Sequence, residues 1–451
     1  MTLQIYPSKS MTKAIRYTIL SLRDLLVSGG PFVLLAFVLL GLAYWWLDPT
    51  PPRQVTLATG PAQSAYAEFG KRYAAELARN GIEVKLITTE GSTQNLEMLR
   101  GETADFAFVK GGSNELTIDR ENELESLGSL FLEPVWLFYR EQVARQKSAT
   151  GVLNSLADLK GLRINVGADG SGIPGLMDKL FEANRIDTKS LKLSQLGQTP
   201  STVAFLNGEL DAVVFASAPE SLMVQMLLQT PGVKLMNFAQ NEAYARRFSF
   251  LSPVTLPQGV VDLSANVPVQ DVRLIATTAT LLTRQDVHPA LKQLFSQASL
   301  KQHDKAGWFN RAHEYPNLAN NEFPLAREAE RTVRQGVPLL QRYLPFLVAN
   351  LLERMWLALG IILAILLPLS RIIPPLYEFR IRSRVFRWYG QLREIENRLE
   401  NDPPEPNQDL LDALNRLESR VEKITVPLSY ADELYSLRNH IELVRQKVRG
   451  R

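Results

Sequence analysis

Two uncharged hydrophobic runs divide the chain. The first, Pro31 to Leu47, reads PFVLLAFVLLGLAYWWL and ends in Tyr44, Trp45 and Trp46. Such aromatics settle at a membrane–water boundary. At about 17 residues the run sits at the short limit for a spanning helix. A cleaved signal peptide is the rival reading. No small-x-small site follows the core, where YWWLDPTPP is bulky and proline-rich, so the run is read as an uncleaved anchor, transmembrane helix 1. The second run covers residues 346–369 and has no charge from Met355 to Ser370. Glu353 and Arg354 interrupt its front end, and the cost of burying charge in lipid starts the span near Arg354. A buried core helix is the alternative here, opposed by the flanking charges. Lys9, Lys13, Arg16 and Arg23 precede the first run; Arg371, Arg380, Arg382, Arg384 and Arg387 follow the second. Both clusters then face the cytoplasm of an inner membrane, with both termini (1–30 and 376–451) inside and residues of about 49–345 periplasmic.

Between the runs the pattern changes to short apolar strands and helices of 3.6-residue period. Gln54–Thr59 reads as a strand, followed by a helix over 65–80 with Tyr66, Phe69, Tyr73 and Leu77 on one face. A strand at Glu83–Thr88 follows, then a short helix from Ser92 with Leu96 and Leu99 inward, a Gly101 stop, and a strand at Phe106–Val109. This β-α-β-α-β order predicts a parallel sheet covered by helices. A reduced copy recurs: strand Arg163–Val166, the turn GADGSGI at 167–173, a helix to Asn184, and a helix–Gly–Glu–Asp–strand close over 203–215. The expectation is a two-lobed α/β domain over 54–340 with a ligand between the lobes. Lobe 1 takes about 54–140 and 254–340, lobe 2 about 141–253. Phe131–Tyr139 reads as a long strand leaving lobe 1, and Leu274–Thr278 with a helix over 289–298 as the return. Beyond the second run, Pro374-Pro375 breaks the helix and 376–400 is amphipathic. Spaced leucines over 408–424 and 429–449 predict an antiparallel, coiled-coil-like helical hairpin in a cytoplasmic tail.

Composition narrows the chemistry. The net charge of +3 over 451 residues, without an aromatic-interleaved basic stripe, argues against nucleic acid. The absence of cysteine removes disulfides, thiolate metal sites and a Cys nucleophile. The four histidines form no metal-ligand pair, and His303 and His313 lie in a polar segment that reads as solvated. No cofactor, metal or catalytic set is expected, so the chain reads as a binding protein rather than an enzyme.

The candidate binding residues sit where strands end. Ser92 is placed to cap its helix, and with Thr93 and Asn95 it surrounds first-turn N–H groups that suit an anion. The alternative is that Ser92 only caps and Asn95 faces solvent. In the second copy Gly170, Ser171 and Gly172 make a glycine-rich turn before a helix, with Asp169 disfavouring an anion if it faces the cleft. Tyr66, after the Gly60-Pro61 turn, either closes over a ligand or packs half-buried. Ser217, Ala218 and Pro219 follow a strand's carboxyl end, where open sheets border their crevice. Lys110 directly follows a strand and is either a carboxylate partner or a solvated loop lysine.

Four segments, LATGPAQSAYAEFGKRYAAEL, TEGSTQNLEMLRGETADFAFV, LRINVGADGSGI and FLNGELDAVVFASAP, resemble in order the TAXI-type solute-binding proteins. Those are the substrate receptors of tripartite ATP-independent periplasmic (TRAP) transporters. The resemblance covers about 54–340. It implies two hinged lobes closing on a small organic anion of the amino acid or dicarboxylate class, with TRAP permease subunits as partners. It points to Gly60, Tyr66, Ser92, Asn95, Ser171 and residues 217–219 as cleft residues. The chain departs from the family at Pro324–Ala329, which reads PLAREA where receptors carry PLHPGA, and in being anchored at both ends with a cytoplasmic tail. Those departures keep open a transmembrane sensor or regulatory scaffold, with a cytoplasmic protein partner for the tail.

Overall fold

The computed structural model describes residues 29–113, 123–148, 151–319, 322–400, 406–423 and 431–450; the N-terminal segment before residue 29 lies outside them. The chain separates into two compact units, one over Thr50–Leu351 and one formed by the remaining terminal segments.

The first unit is α/β. Its strands are β1 (Gln54–Ala58), β2 (Glu83–Ile87), β3 (Phe106–Lys110), β4 (Leu124–Arg140), β5 (Arg163–Asn165), β6 (Lys192–Ser194), β7 (Ala212–Ala216), β8 (Val233–Leu235), β9 (Leu251–Leu256) and β10 (Val272–Arg284). Gly29–Leu47 is α1. The helices of this unit are α2 (Ala65–Ala78), α3 (Ser92–Arg100), α4 (Glu141–Lys147), α5 (Ile173–Ala183), α6 (Gln198–Leu206), α7 (Leu222–Leu228), α8 (Asn241–Arg247), α9 (Pro289–His303), α10 (Arg327–Gln335) and α11 (Leu339–Tyr343). β1 lies between β2 and β3, parallel to both; β5 lies in the same way between β6 and β7. The three-residue β6 is too short to leave a period in the sequence.

Two long strands run through both halves of the sheet. β10 pairs with β9 through Val272–Thr277 and with β3 through Ala279–Thr283. β4 pairs with β10 from Leu124 to Pro134 and with β7 from Val135 to Tyr139, changing partner in mid-strand. Each half has its own core. Leu57, Tyr73, Phe106, Phe108, Leu127 and Phe295 belong to one; Trp136, Phe138, Ile164, Phe181, Phe205 and Val213 belong to the other. β4 feeds both, and burial on both faces erases the alternation of a half-exposed strand. It begins seven residues before the expected Phe131. Gly128, which interrupts the pattern there, has φ +109, and a Cβ on it would sit 2.9 Å from the Asn317 carbonyl oxygen. The glycine therefore admits a crossing segment instead of ending the strand.

After α1 and the α/β domain come α12 (Phe346–Ser370), whose residues to Leu351 belong to the first unit, and then α13 (Ile373–Glu400), α14 (Asn407–Val421) and α15 (Ala431–Arg449) of the other unit. α1 and α12 are long and apolar enough to cross a membrane. Pro374 and Pro375 fall in the first turn of α13. There a missing N–H costs no bond, so the prolines open a helix as well as end the preceding one. The tail is more than the expected hairpin. Ile381, Val385, Leu392 and Ile395 of α13 share one core with Leu410, Leu414 and Leu417 of α14 and Leu437, Ile441 and Val444 of α15. Three helices, not two, close this core.

Candidate functional site

α3 begins differently from its sequence reading. Gly91, at φ 136, is the N-cap, and Ser92 is the first helical residue. Ser92 is fully buried, and its hydroxyl oxygen accepts from the Lys110 backbone N–H at 3.0 Å, which ties the helix to the end of β3. Two of the first-turn donors are taken by the protein itself. The N–H groups of Thr93 and Gln94 donate to the Gly170 carbonyl at 3.2 and 3.4 Å. A Cβ on Gly91 would lie 3.0 Å from Ser171 Cα, and one on Gly170 would lie 2.9 Å from Glu90 Cβ. The two glycine-rich turns pack against each other across the halves, and this close approach is what their glycines allow.

Asn95 is fully buried and outside the cavity lining. Its amide donates to the carbonyls of Thr59 (2.5 Å) and Phe108 (2.7 Å) and its Oδ1 accepts from the Thr89 hydroxyl (2.7 Å), bracing three strand ends. Gly60 leaves room for Ser64, whose hydroxyl caps α2 by accepting from Ala67 N–H. Pro219 presents its carbonyl to Gln225. Thr93, Gly170 and Gly172 border a separate outer depression with Lys179.

Between the halves lies a cavity of about 70 Å³. Of the residues singled out from sequence, Tyr66, Ser171, Ser217 and Lys110 line it. The Ser171 hydroxyl donates to the Ala168 carbonyl at 2.6 Å and accepts from Ile173 N–H, so it also fixes the turn before α5. Lys110, the last residue of β3, is 5% exposed and far from a solvated loop lysine; its Nζ donates to the Ala216 carbonyl at 3.2 Å. Facing the same space is Glu133, 3% exposed, whose Oε2 accepts from the Tyr66 hydroxyl at 2.7 Å. The Tyr66 ring stacks on Phe108 with centroids 5.2 Å apart.

These groups shift one another. Burial lowers the Lys110 pKa, opposed by the Glu133 charge. Burial raises that of Glu133, opposed by Lys110 and by the Tyr66 hydrogen bond. Burial together with Glu133 pushes the Tyr66 hydroxyl well above its ordinary value. Glu133 was absent from the sequence candidates. Its one signal was a lone charge inside the apolar run Phe131–Tyr139. His303, expected in solvent, is instead packed against Phe69 and Phe131 and lies 3.1 Å from the Tyr73 hydroxyl. Among the described residues no group of three or more His, Cys, Asp or Glu could hold a metal ion.

The NMT1-like family model matches residues 57–317. The chain belongs to the NMT1-like family. All four segments that resemble TAXI-type receptors fall inside that match. The matched residues lie within the α/β unit. No curated protein matches the chain. Among solved structures, a protein from Bordetella bronchiseptica RB50 is 14% identical with a TM-score of 0.41, covering 68% of this chain and 82% of that one. The effector-binding domain of QuiR in complex with shikimate is 14% identical, TM-score 0.37, covering 56% and 97%. The periplasmic aliphatic sulphonate-binding protein SsuA from Escherichia coli is 14% identical, TM-score 0.35, covering 69% and 83%.

Proposed function

We propose that this NMT1-like protein is a membrane-anchored, extracytoplasmic solute-binding protein of the TRAP type. Its α/β domain holds a small organic acid, of the amino acid or dicarboxylate class, between its halves. The observation that carries this reading is the buried Lys110 ammonium in the inter-half cavity, which among the described residues has one protein acceptor for its three donors. A substrate carboxylate supplies the missing acceptors, and the Ser171 and Ser217 turns border the same space. β4 and β10 connect the halves and would flex as the cavity opens and closes, a population shift driven by the acid. The reading is one of binding and release, not catalysis. Calorimetric titration of the full-length protein in detergent with amino acids and dicarboxylates tests it. Wild type should bind at least one of them, and Lys110→Met should weaken that binding tenfold or more. Unchanged affinity in Lys110→Met would remove the basis of the reading.

A second reading rests on the tail. The helices α13–α15 share a hydrophobic core, more than a transport receptor needs, and this suits a sensor or scaffold with a cytoplasmic protein partner. Truncation after residue 400 separates the two. Retained uptake favours transport; binding with uptake absent in the intact chain favours sensing.

A further inference from the structure

Lys110 and Glu133 are the charged residues of the inter-half cavity that are buried, yet among the described residues neither makes an ion pair within 4.0 Å. They stand on the two neighbours of one strand: Lys110 of β3 opposite Ala279 of β10, Glu133 of β4 opposite Thr277. Strands two apart are separated by about 10 Å. Both side chains line the cavity, and each acts on the other's charge. Each head keeps unused capacity. Among the described residues Lys110 donates once, to Ala216, and Glu133 accepts through Oε2 from Tyr66, with no donor to Oε1. Two buried opposite charges held apart across a cavity are costly unless something bridges them.

The sign of the lining adds a second constraint. Its charged residues are Glu90, Lys110 and Glu133, one positive and two negative. A ligand with carboxylates alone would satisfy Lys110 and leave Glu133 facing a further negative charge. A ligand that brings an ammonium group beside its carboxylate satisfies both, with charge-assisted hydrogen bonds of about 2.8 Å at each end.

We propose that Glu133 is the specificity-determining residue of this site: it demands a cationic amino group on the ligand and so selects amino acids against their deaminated counterparts. This rests on the organic-acid reading of the cavity. Glu133 also lies one residue before Pro134, where the β4 pairing with β10 ends and that with β7 begins. A ligand ammonium held there bonds to the strand that joins the two halves, so recognition and closure act on one residue.

The test uses the full-length protein in detergent and calorimetric titration with the twenty L-amino acids, each beside the corresponding 2-oxo and plain deaminated acid. Wild type should bind an amino acid more than tenfold tighter than its deaminated partner. Glu133→Gln, nearly the same shape without the charge, should abolish that preference. Glu133→Asp, which keeps the charge, should retain its direction. If Glu133→Gln fails to fold, the wild-type preference decides. A deaminated acid that binds wild type as tightly as its amino acid overturns this proposal and leaves the organic-acid reading standing. The same holds for a preference untouched by Glu133→Gln. No binding by either series overturns both.

Discussion

His303 offers the sharpest test of how the α/β core is built. It ends α9, is 6% exposed, and has Phe69 at 4.5 Å and Phe131 at 5.2 Å between ring centroids. Burial, with the Arg72 guanidinium acting in the same direction, lowers its pKa from 6.5 to about 3. The folded state therefore holds a neutral imidazole at pH values where the unfolded chain takes up a proton. The stability this contributes is complete above the unfolded value of 6.5 and is lost as pH falls towards 3. At its full extent the loss is roughly 5 kcal/mol, and between pH 7 and pH 5 about 2 kcal/mol. Urea denaturation of residues 50–351, a compact unit with its own cores, measures it at the two pH values. Other groups titrate in the same window, so the comparison is with His303→Gln, where they remain and the imidazole does not. Wild type should lose about 2 kcal/mol more than the variant on going to pH 5. Equal losses would refute the argument that burial keeps this imidazole neutral.

Three further outcomes follow from particular contacts. Gly91→Ala imposes a side chain at φ 136 against Ser171 Cα and should cost about 1–3 kcal/mol, read as a lower urea midpoint. Asn95→Ala removes the amide donor to the carbonyls of Thr59 and Phe108, of which Thr59 keeps the Thr89 hydroxyl. It should destabilise the domain by about 1–3 kcal/mol per acceptor at most, while calorimetric affinity at a temperature where the variant is folded stays near wild type. Leu414→Ala, in the tail core, should cost about 2–5 kcal/mol of that unit. Hydrogen exchange should rise in α13–α15 and stay unchanged in β1–β10.

The β-α-β rhythm was legible because its signals are local. Tyr66, Phe69, Tyr73 and Leu77 recur at helical spacing and are all buried on α2, and Gly101 ends α3 where a glycine after a periodic run should. β4 was only half legible, since Gly128 looks like a stop until the segment that crosses it is known. The α13 contribution to the tail core was visible as amphipathicity without a partner. What covers an amphipathic face is a tertiary fact, and the core with Leu414 and Ile441 supplied it.

The site was harder to read for a related reason. Serines and glycines at a helix start advertise free N–H groups, but such donors bind a ligand only if the fold does not claim them first. Here the Gly170 carbonyl takes those of Thr93 and Gln94, and the Ser92 hydroxyl oxygen accepts from Lys110 N–H. The glycine motifs thus join the two halves at the cavity's edge, and the charge that a ligand would meet comes from strand ends further in. A lysine after a strand and a glutamate inside one are unremarkable in sequence, because a strand shows neither its neighbours nor its burial. Placing β10 between β3 and β4 brings two scattered residues, Lys110 and Glu133, into the lining of one cavity. The chemistry of this chain therefore depends on strand order more than on motif, and a search for ligand residues in such sheets should begin with lone charges in apolar runs.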